Sequence, residues 1–144
     1  MSEEIDFEKC VATKKIKDSE IAKEWVNKEI AVAQKFIRTT QFSLNSKQYD
    51  LVIISGYLVI FHLNRALVYN KGKIVKTHIC AMLAVKELYK NNADISDLLE
   101  GLDNALTSRN QIQYDGFDAD VEMAEFVFNL AQDYLEIVKK LVGE

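Results

Sequence analysis

Proline is absent from the 144 residues, and only five glycines occur. Proline is the main breaker of helix interiors, so its absence favours long helices and excludes proline-rich linkers. Cysteine is nearly as scarce. Cys10 and Cys80 fit no C-x-x-C spacing, which excludes a zinc ribbon or a thioredoxin-like redox motif. They are expected as buried or half-buried free thiols in a reducing compartment. No G-x-x-x-x-G-K-[S/T], H-E-x-x-H or G-x-S-x-G occurs, so no nucleotide P-loop, zinc-protease helix or hydrolase elbow is expected, and no metal or other cofactor.

Lysine and arginine number 18 against 22 acidic residues, a net charge of −4. That balance argues against nucleic-acid binding over the whole surface and still permits a local basic patch. The opening stretch, MSEEIDFEKC, is acidic and lacks an apolar signal core. The longest apolar run, LVIISGYLVIF, is about half a membrane span before His62, Asn64 and Arg65 interrupt it. A cytoplasmic protein with no membrane contact is expected.

What the chain has is helical periodicity, without repeats or low-complexity tracts. Its length suits one domain over residues 1–144. A short amphipathic helix is expected over EIDFEKCVATKK, then a long one capped by Asp18 or Ser19, with Val26, Ile30, Ala33 and Ile37 as its apolar stripe. Ser46 is expected to cap the next helix, which is apolar nearly all round from Leu51 to Phe61, as a central helix would be. Ser55 and Gly56 would allow a close helix contact, and Gly72 a left-handed stop. Thr77 caps a third helix. Asp94 is expected to cap a fourth, with Ile95, Leu98, Leu99, Leu102 and Leu106 on one face, and DGFDAD leads into a fifth. In the fifth, Ala124, Val127, Ala131, Tyr134 and Val138 form one apolar face and Met123, Phe126, Leu130, Ile137 and Leu141 a second. The expected fold is an all-α, antiparallel up-and-down four-helix bundle with a short extra N-terminal helix. The surplus apolar face points to a homodimer.

Arg109 closes the stripe of the fourth helix. It lies seven residues, about two turns, beyond Leu102, so it projects from the same face. An unpaired buried arginine costs several kcal/mol, so it is either an anchor, snorkelling at the helix end or paired with an acid such as Asp115 or Asp118, or a phosphate-facing cation in a groove.

Two segments here resemble the HEPN family. SRNQIQYDG resembles the R-x(4–6)-H segment of HEPN domains, and FHLNRALVYNKGKIVKTH, residues 61–78, resembles the helix-and-loop signature of small stand-alone prokaryotic members. FEKCVATKKIKDSEIAKEWVNKEIAVAQKF is similar to their amino-terminal region, so the likeness covers most of the chain. The resemblance implies a dimerising helical bundle, RNA-cleaving toxin or defence activity in many members, and often a nucleotidyltransferase-like partner. In active members it implies that the motif arginine holds phosphate and the motif histidine does acid–base work. Arg109 and Asn110 match the start of that motif, and Tyr114 stands where the histidine would be. A tyrosine with an ordinary pKa of about 10 is a poor base at neutral pH, so efficient cleavage is not expected.

His62, inside the apolar helix, is expected as a satisfied core histidine. His78 follows the Thr77 cap, after Lys71, Lys73 and Lys76. That loop reads either as a solvated turn plugged by Ile74 and Val75 or as a phosphate-binding loop formed by Lys73, Lys76 and the amides near His78. Asp115, Asp118, Asp120 and Glu122 are explained by caps and solvation. The leading expectation is a dimer that binds RNA, nucleotide or a nucleotidyltransferase partner without efficient catalysis. The alternatives are a metal-independent ribonuclease toxin, relying on Tyr114 or on His78 across a dimer, and a purely structural interaction module.

Overall fold

The computed structural model describes residues 4–143; Met1 to Glu3, part of the acidic opening stretch, and Glu144 lie outside them. Among the described residues six α-helices dominate: α1 (Phe7–Ala12), α2 (Val26–Asn45), α3 (Tyr49–Asn70), α4 (His78–Leu88), α5 (Ala93–Tyr114) and α6 (Val121–Leu141). The four long ones, α2, α3, α5 and α6, make an all-α bundle, with α4 packed beside α3 and α1 as the short extra helix. Helices α2 and α3 pack together across a three-residue link, and α5 and α6 across a six-residue one, so each pair is a helical hairpin.

Helix α3 is central. It touches α2, α4, α5 and α6, which is why its sequence is apolar on nearly every side. It is also the one helix among the described residues long and apolar enough to cross a membrane, and 67% of that segment is buried inside the bundle. Packing therefore accounts for its composition. At Gly56 an added Cβ would lie 2.6 Å from Val127 Cγ1, so the missing side chain sets how closely α3 and α6 approach. Beside it the hydroxyls of Thr40 and Ser55 meet at 2.9 Å, joining α2 to α3. Deeper still, the fully buried Tyr134 hydroxyl donates to Asn64 Oδ1 at 2.6 Å, satisfying two polar groups that burial would otherwise penalise.

Several boundaries differ from the sequence expectation. Asp18 and Ser19 cap no helix. Ile16–Asp18 is a strand, β1, paired antiparallel with β2 (Lys73–Val75), with Ile16 opposite Val75 and Asp18 opposite Lys73. Ser19 N continues the ladder to Gly72 O at 2.9 Å, and a turn of 3₁₀-helix, Ala22–Trp25, leads into α2. Backbone pairing to the distant loop outweighed the local capping preference. Ser46 follows α2 as its C-cap, and α3 starts after Gln48 without a side-chain cap. The cap of α5 is Asn92, whose side chain accepts from Ile95 N at 3.0 Å; Asp94 sits in the first turn, where its charge suits the helix dipole. Thr77 and Asp120 do cap α4 and α6, and Gly72 takes a left-handed φ of 75°.

The second apolar face of α6 is mostly covered within the chain. Leu130 is buried, while Met123, Ile137 and Leu141 pack against the core, leaving Phe126 half exposed. The expected free thiols are not found either. Cys10 on α1 and Cys80 on α4 form a disulfide with Cα atoms 5.8 Å apart. The pairing was invisible in the sequence because 70 residues separate the two and only the folded chain brings α1 onto α4. With the thiols paired, their support for a reducing compartment falls away.

Candidate phosphate-ester site

Leu102 and Ala105 bury one face of α5, and the same face carries Arg109 to the end of the core, where it is half buried. Its guanidinium carbon lies 4.6 Å from the ring centre of Tyr57 on α3 and 5.5 Å from that of Tyr114. Nη1 donates to Gln113 Oε1 at 3.3 Å and to Tyr114 Oη at 3.2 Å. Nε is the only buried side-chain nitrogen or oxygen without a hydrogen-bond partner among the described residues. Asp115 and Asp118, the acids considered as partners, make no ion pair with it. Arg109 is thus held by aromatic faces and neutral oxygens, with no carboxylate to cancel its charge.

His78, the first residue of α4, faces the same space. Its Nδ1 lies 2.9 Å from the Tyr57 hydroxyl, and its ring stacks on Phe61 with centres 3.9 Å apart. Burial, then the charges of Arg109, His62 and Arg65, hold its imidazole below the usual histidine range. It is therefore neutral at physiological pH. Burial also pushes the Tyr57 phenol up to about 12 against the opposing pull of Arg109, so Tyr57 keeps its proton.

Between α4 and α5, His78 and Arg109 border a cleft of about 410 Å³, lined also by Lys15, Ile79, Leu106 and Asn110 among others; Tyr57 holds both residues without lining it. One end of the disulfide, Cys80, is in its wall. The cleft combines cations and an amide side chain with apolar walls, a composition suited to an anion carrying an organic group. A groove of similar size between α5 and α6 has Asp97, Glu100 and Asp133 on its rim and no cation, so it repels an anion.

Of the residues singled out in the sequence, Arg109, Asn110 and His78 converge on the cleft. Tyr114, 67% exposed, covers Arg109 from outside. Lys73 and Lys76 do not line it. Lys73 Nζ is drawn 2.5 Å from Asp18 Oδ1 across the strand pair, and Lys76 is exposed beyond β2. Sequence reasoning missed Tyr57 and Lys15. Tyr57 lies one helical turn before Phe61, a spacing that would place both on one side of α3, but the apolar run around them hides it. Lys15 is brought in by the backbone bond from Lys76 N to Lys15 O, 2.9 Å, which no local pattern announces.

His62 lies outside the cleft and is satisfied, as expected. Its Nδ1 lies 2.6 Å from Oε2 of the buried Glu29, whose other oxygen is 3.3 Å from Arg65 Nη2. Among the described residues no three His, Cys, Asp or Glu side chains are grouped to hold a metal ion.

No curated protein and no solved structure matches the chain. The family model described as HEPN domain matches residues 14–141, taking in the strand pair, the four long helices, Arg109 and His78. With the helical bundle and that coverage together, the chain belongs to the HEPN-domain family.

Proposed function

We propose that this HEPN-domain protein binds phosphate esters, as RNA or nucleotide, in the cleft between α4 and α5, and cleaves them poorly or not at all. The carrying observation is the Arg109 guanidinium, fixed on the faces of Tyr57 and Tyr114 without a counter-charge among the described residues. A preorganised, uncancelled cation at a cleft is stabilised by an incoming phosphate. Against cleavage stands Tyr114 in place of the motif histidine. The reading includes a homodimer, with the exposed Phe42, Phe117 and Phe126 as candidate apolar contacts, and a nucleotidyltransferase-like protein as its candidate partner.

The test is titration of fluorescent single-stranded RNA and of mononucleotides at several salt concentrations, with native protein and Arg109→Ala. Native affinity is expected to fall as salt rises, because neutralising phosphates releases counterions, and Arg109→Ala is expected to flatten that slope. Equal binding by both proteins would remove the cleft from consideration.

A second reading, a metal-independent ribonuclease, is favoured by one observation: His78 and Arg109 line the same cleft of one chain. RNA cleavage by native protein that disappears in both Arg109→Ala and His78→Ala would establish it over the binding reading.

A further inference from the structure

We propose that Tyr57 locks His78 in the neutral tautomer protonated at Nε2, making His78 a fixed hydrogen-bond donor that shares a phosphate oxyanion with Arg109. The inference rests on the phosphate-ester reading of the cleft and assigns Tyr57 and His78 roles within it.

The tautomer follows from hydrogen-bond bookkeeping. The Tyr57 side chain is buried at 1% exposure; Arg109, which also hydrogen-bonds its oxygen, can only donate, so His78 Nδ1 at 2.9 Å is the only acceptor its hydroxyl meets among the described residues. A buried hydroxyl proton without an acceptor is penalised, so the proton points at Nδ1. The Arg109 guanidinium above the Tyr57 ring reinforces this, since a cation there disfavours a hydroxyl hydrogen directed towards it. Nδ1 must then offer its lone pair. A neutral imidazole whose Nδ1 accepts carries its one proton on Nε2.

The direction of titration agrees. His78 is held below the usual histidine range, so the ring is not an imidazolium with protons on both nitrogens. Tyr57 keeps its own proton for donation. Phe61 covers one ring face at 3.9 Å and prevents the imidazole from turning freely. Nε2 makes no hydrogen bond to the described residues, and it is not among the buried atoms lacking a partner. It is therefore open to the cleft that His78 lines with Arg109.

The chemical consequence is a division of labour. Arg109 supplies charge and His78 supplies a directed, uncharged donor, the pair an anionic phosphate oxygen accepts. A histidine whose Nε2 already holds its proton is not poised to remove one from a ribose hydroxyl there. Tyr57, which need not touch the ligand, is a positioning residue.

The experiment is ¹⁵N–¹H NMR of the full chain labelled at histidine, recorded at neutral pH without ligand and then with inorganic phosphate. Native His78 is expected to show the Nε2–H pattern, and Tyr57→Phe, with its fold checked by circular dichroism, to lose that preference. An imidazolium or an Nδ1–H pattern in the native protein overturns the inference whatever the cleft binds. An unchanged tautomer in Tyr57→Phe overturns the role of Tyr57. Phosphate is expected to shift the Nε2 resonance, and no shift would overturn the ligand reading beneath. In phosphate titrations His78→Ala is expected to bind roughly tenfold more weakly, the worth of one hydrogen bond to a charged group, while His78→Gln, which keeps a donor near the Nε2 position, restores most of the loss. Equal weakening by both overturns the donor role.

Discussion

Arg109 and Tyr57 are stacked, with the guanidinium carbon 4.6 Å from the ring centre, although they come from different helices and lie 52 positions apart in the chain. The contact makes Arg109 hard to replace even by lysine. A lysine keeps the charge and loses both the planar stacking and the Nη1 group placed to reach Gln113 and Tyr114. Arg109→Lys is therefore expected to weaken RNA binding by roughly tenfold, the scale of one charged hydrogen bond. Fluorescence anisotropy on native and substituted protein at one salt concentration measures it; native-like affinity would show that charge alone suffices.

Tyr114→His restores the histidine that the family motif would have beside a cation already in position. RNA cleavage is expected to rise measurably, since general acid–base help is typically worth ~10²–10⁴-fold when geometry allows. Adding Arg109→Ala is expected to abolish the gain. A fluorescent RNA cleavage assay on the native, single and double variants decides the matter, and strong cleavage by the native chain would contradict the expectation.

The pH dependence follows from His78. Its folded-state pKa lies below the ordinary value of 6.5, with burial first and Arg109, His62 and Arg65 as the further causes. As pH falls through about 6.5 the unfolded chain takes up this proton before the folded one does. His78 therefore lowers stability in the window beneath that value and leaves it untouched above. The His78 resonances are expected to titrate below 6.5, and His78→Gln to reduce the loss of Tm between neutral and mildly acidic pH. A midpoint at or above the ordinary value would contradict this.

Gly56→Ala places a methyl 2.6 Å from Val127 Cγ1, between two helix backbones that cannot separate without loosening the core. Overpacking of this kind costs about 1–3 kcal/mol, more than the helix-propensity gain of up to about 1 kcal/mol. A Tm lower by several degrees is expected. Combining Gly56→Ala with Val127→Ala should restore part of it, and failure to do so would place the strain elsewhere.

Reduction of the Cys10–Cys80 bridge opens a 70-residue covalent loop. Loop entropy assigns such a cross-link about 4 kcal/mol. A Tm roughly 10 °C lower is expected in excess dithiothreitol or in Cys10→Ser with Cys80→Ser. Identical melts with and without reductant would show that the bridge contributes nothing.

Much of the fold was legible because helices announce themselves locally. The stripe Val26, Ile30, Ala33, the all-round apolarity of α3, the Thr77 and Asp120 caps and the stop at Gly72 are each a few residues long. The strand pair, the disulfide and the displaced caps were not legible, since each depends on a partner far along the chain. The candidate site divides in the same way. The position of Arg109 on its helix face was readable, whereas its neighbours Tyr57, His78 and Lys15 come from three other segments. Asp18 shows the cost of local reading: its sequence neighbours suggest a cap, and its carboxylate instead meets Lys73.

The bridge between residues 10 and 80 also encloses α2, α3 and both strands in a covalent ring, while α5 and α6 hang outside it. Arg109 rides on the free arm, and Tyr57 and His78 are anchored to the ring. The two sides of the site are therefore joined by packing alone, and the site is as firm as the seating of α5 against α3 and α4.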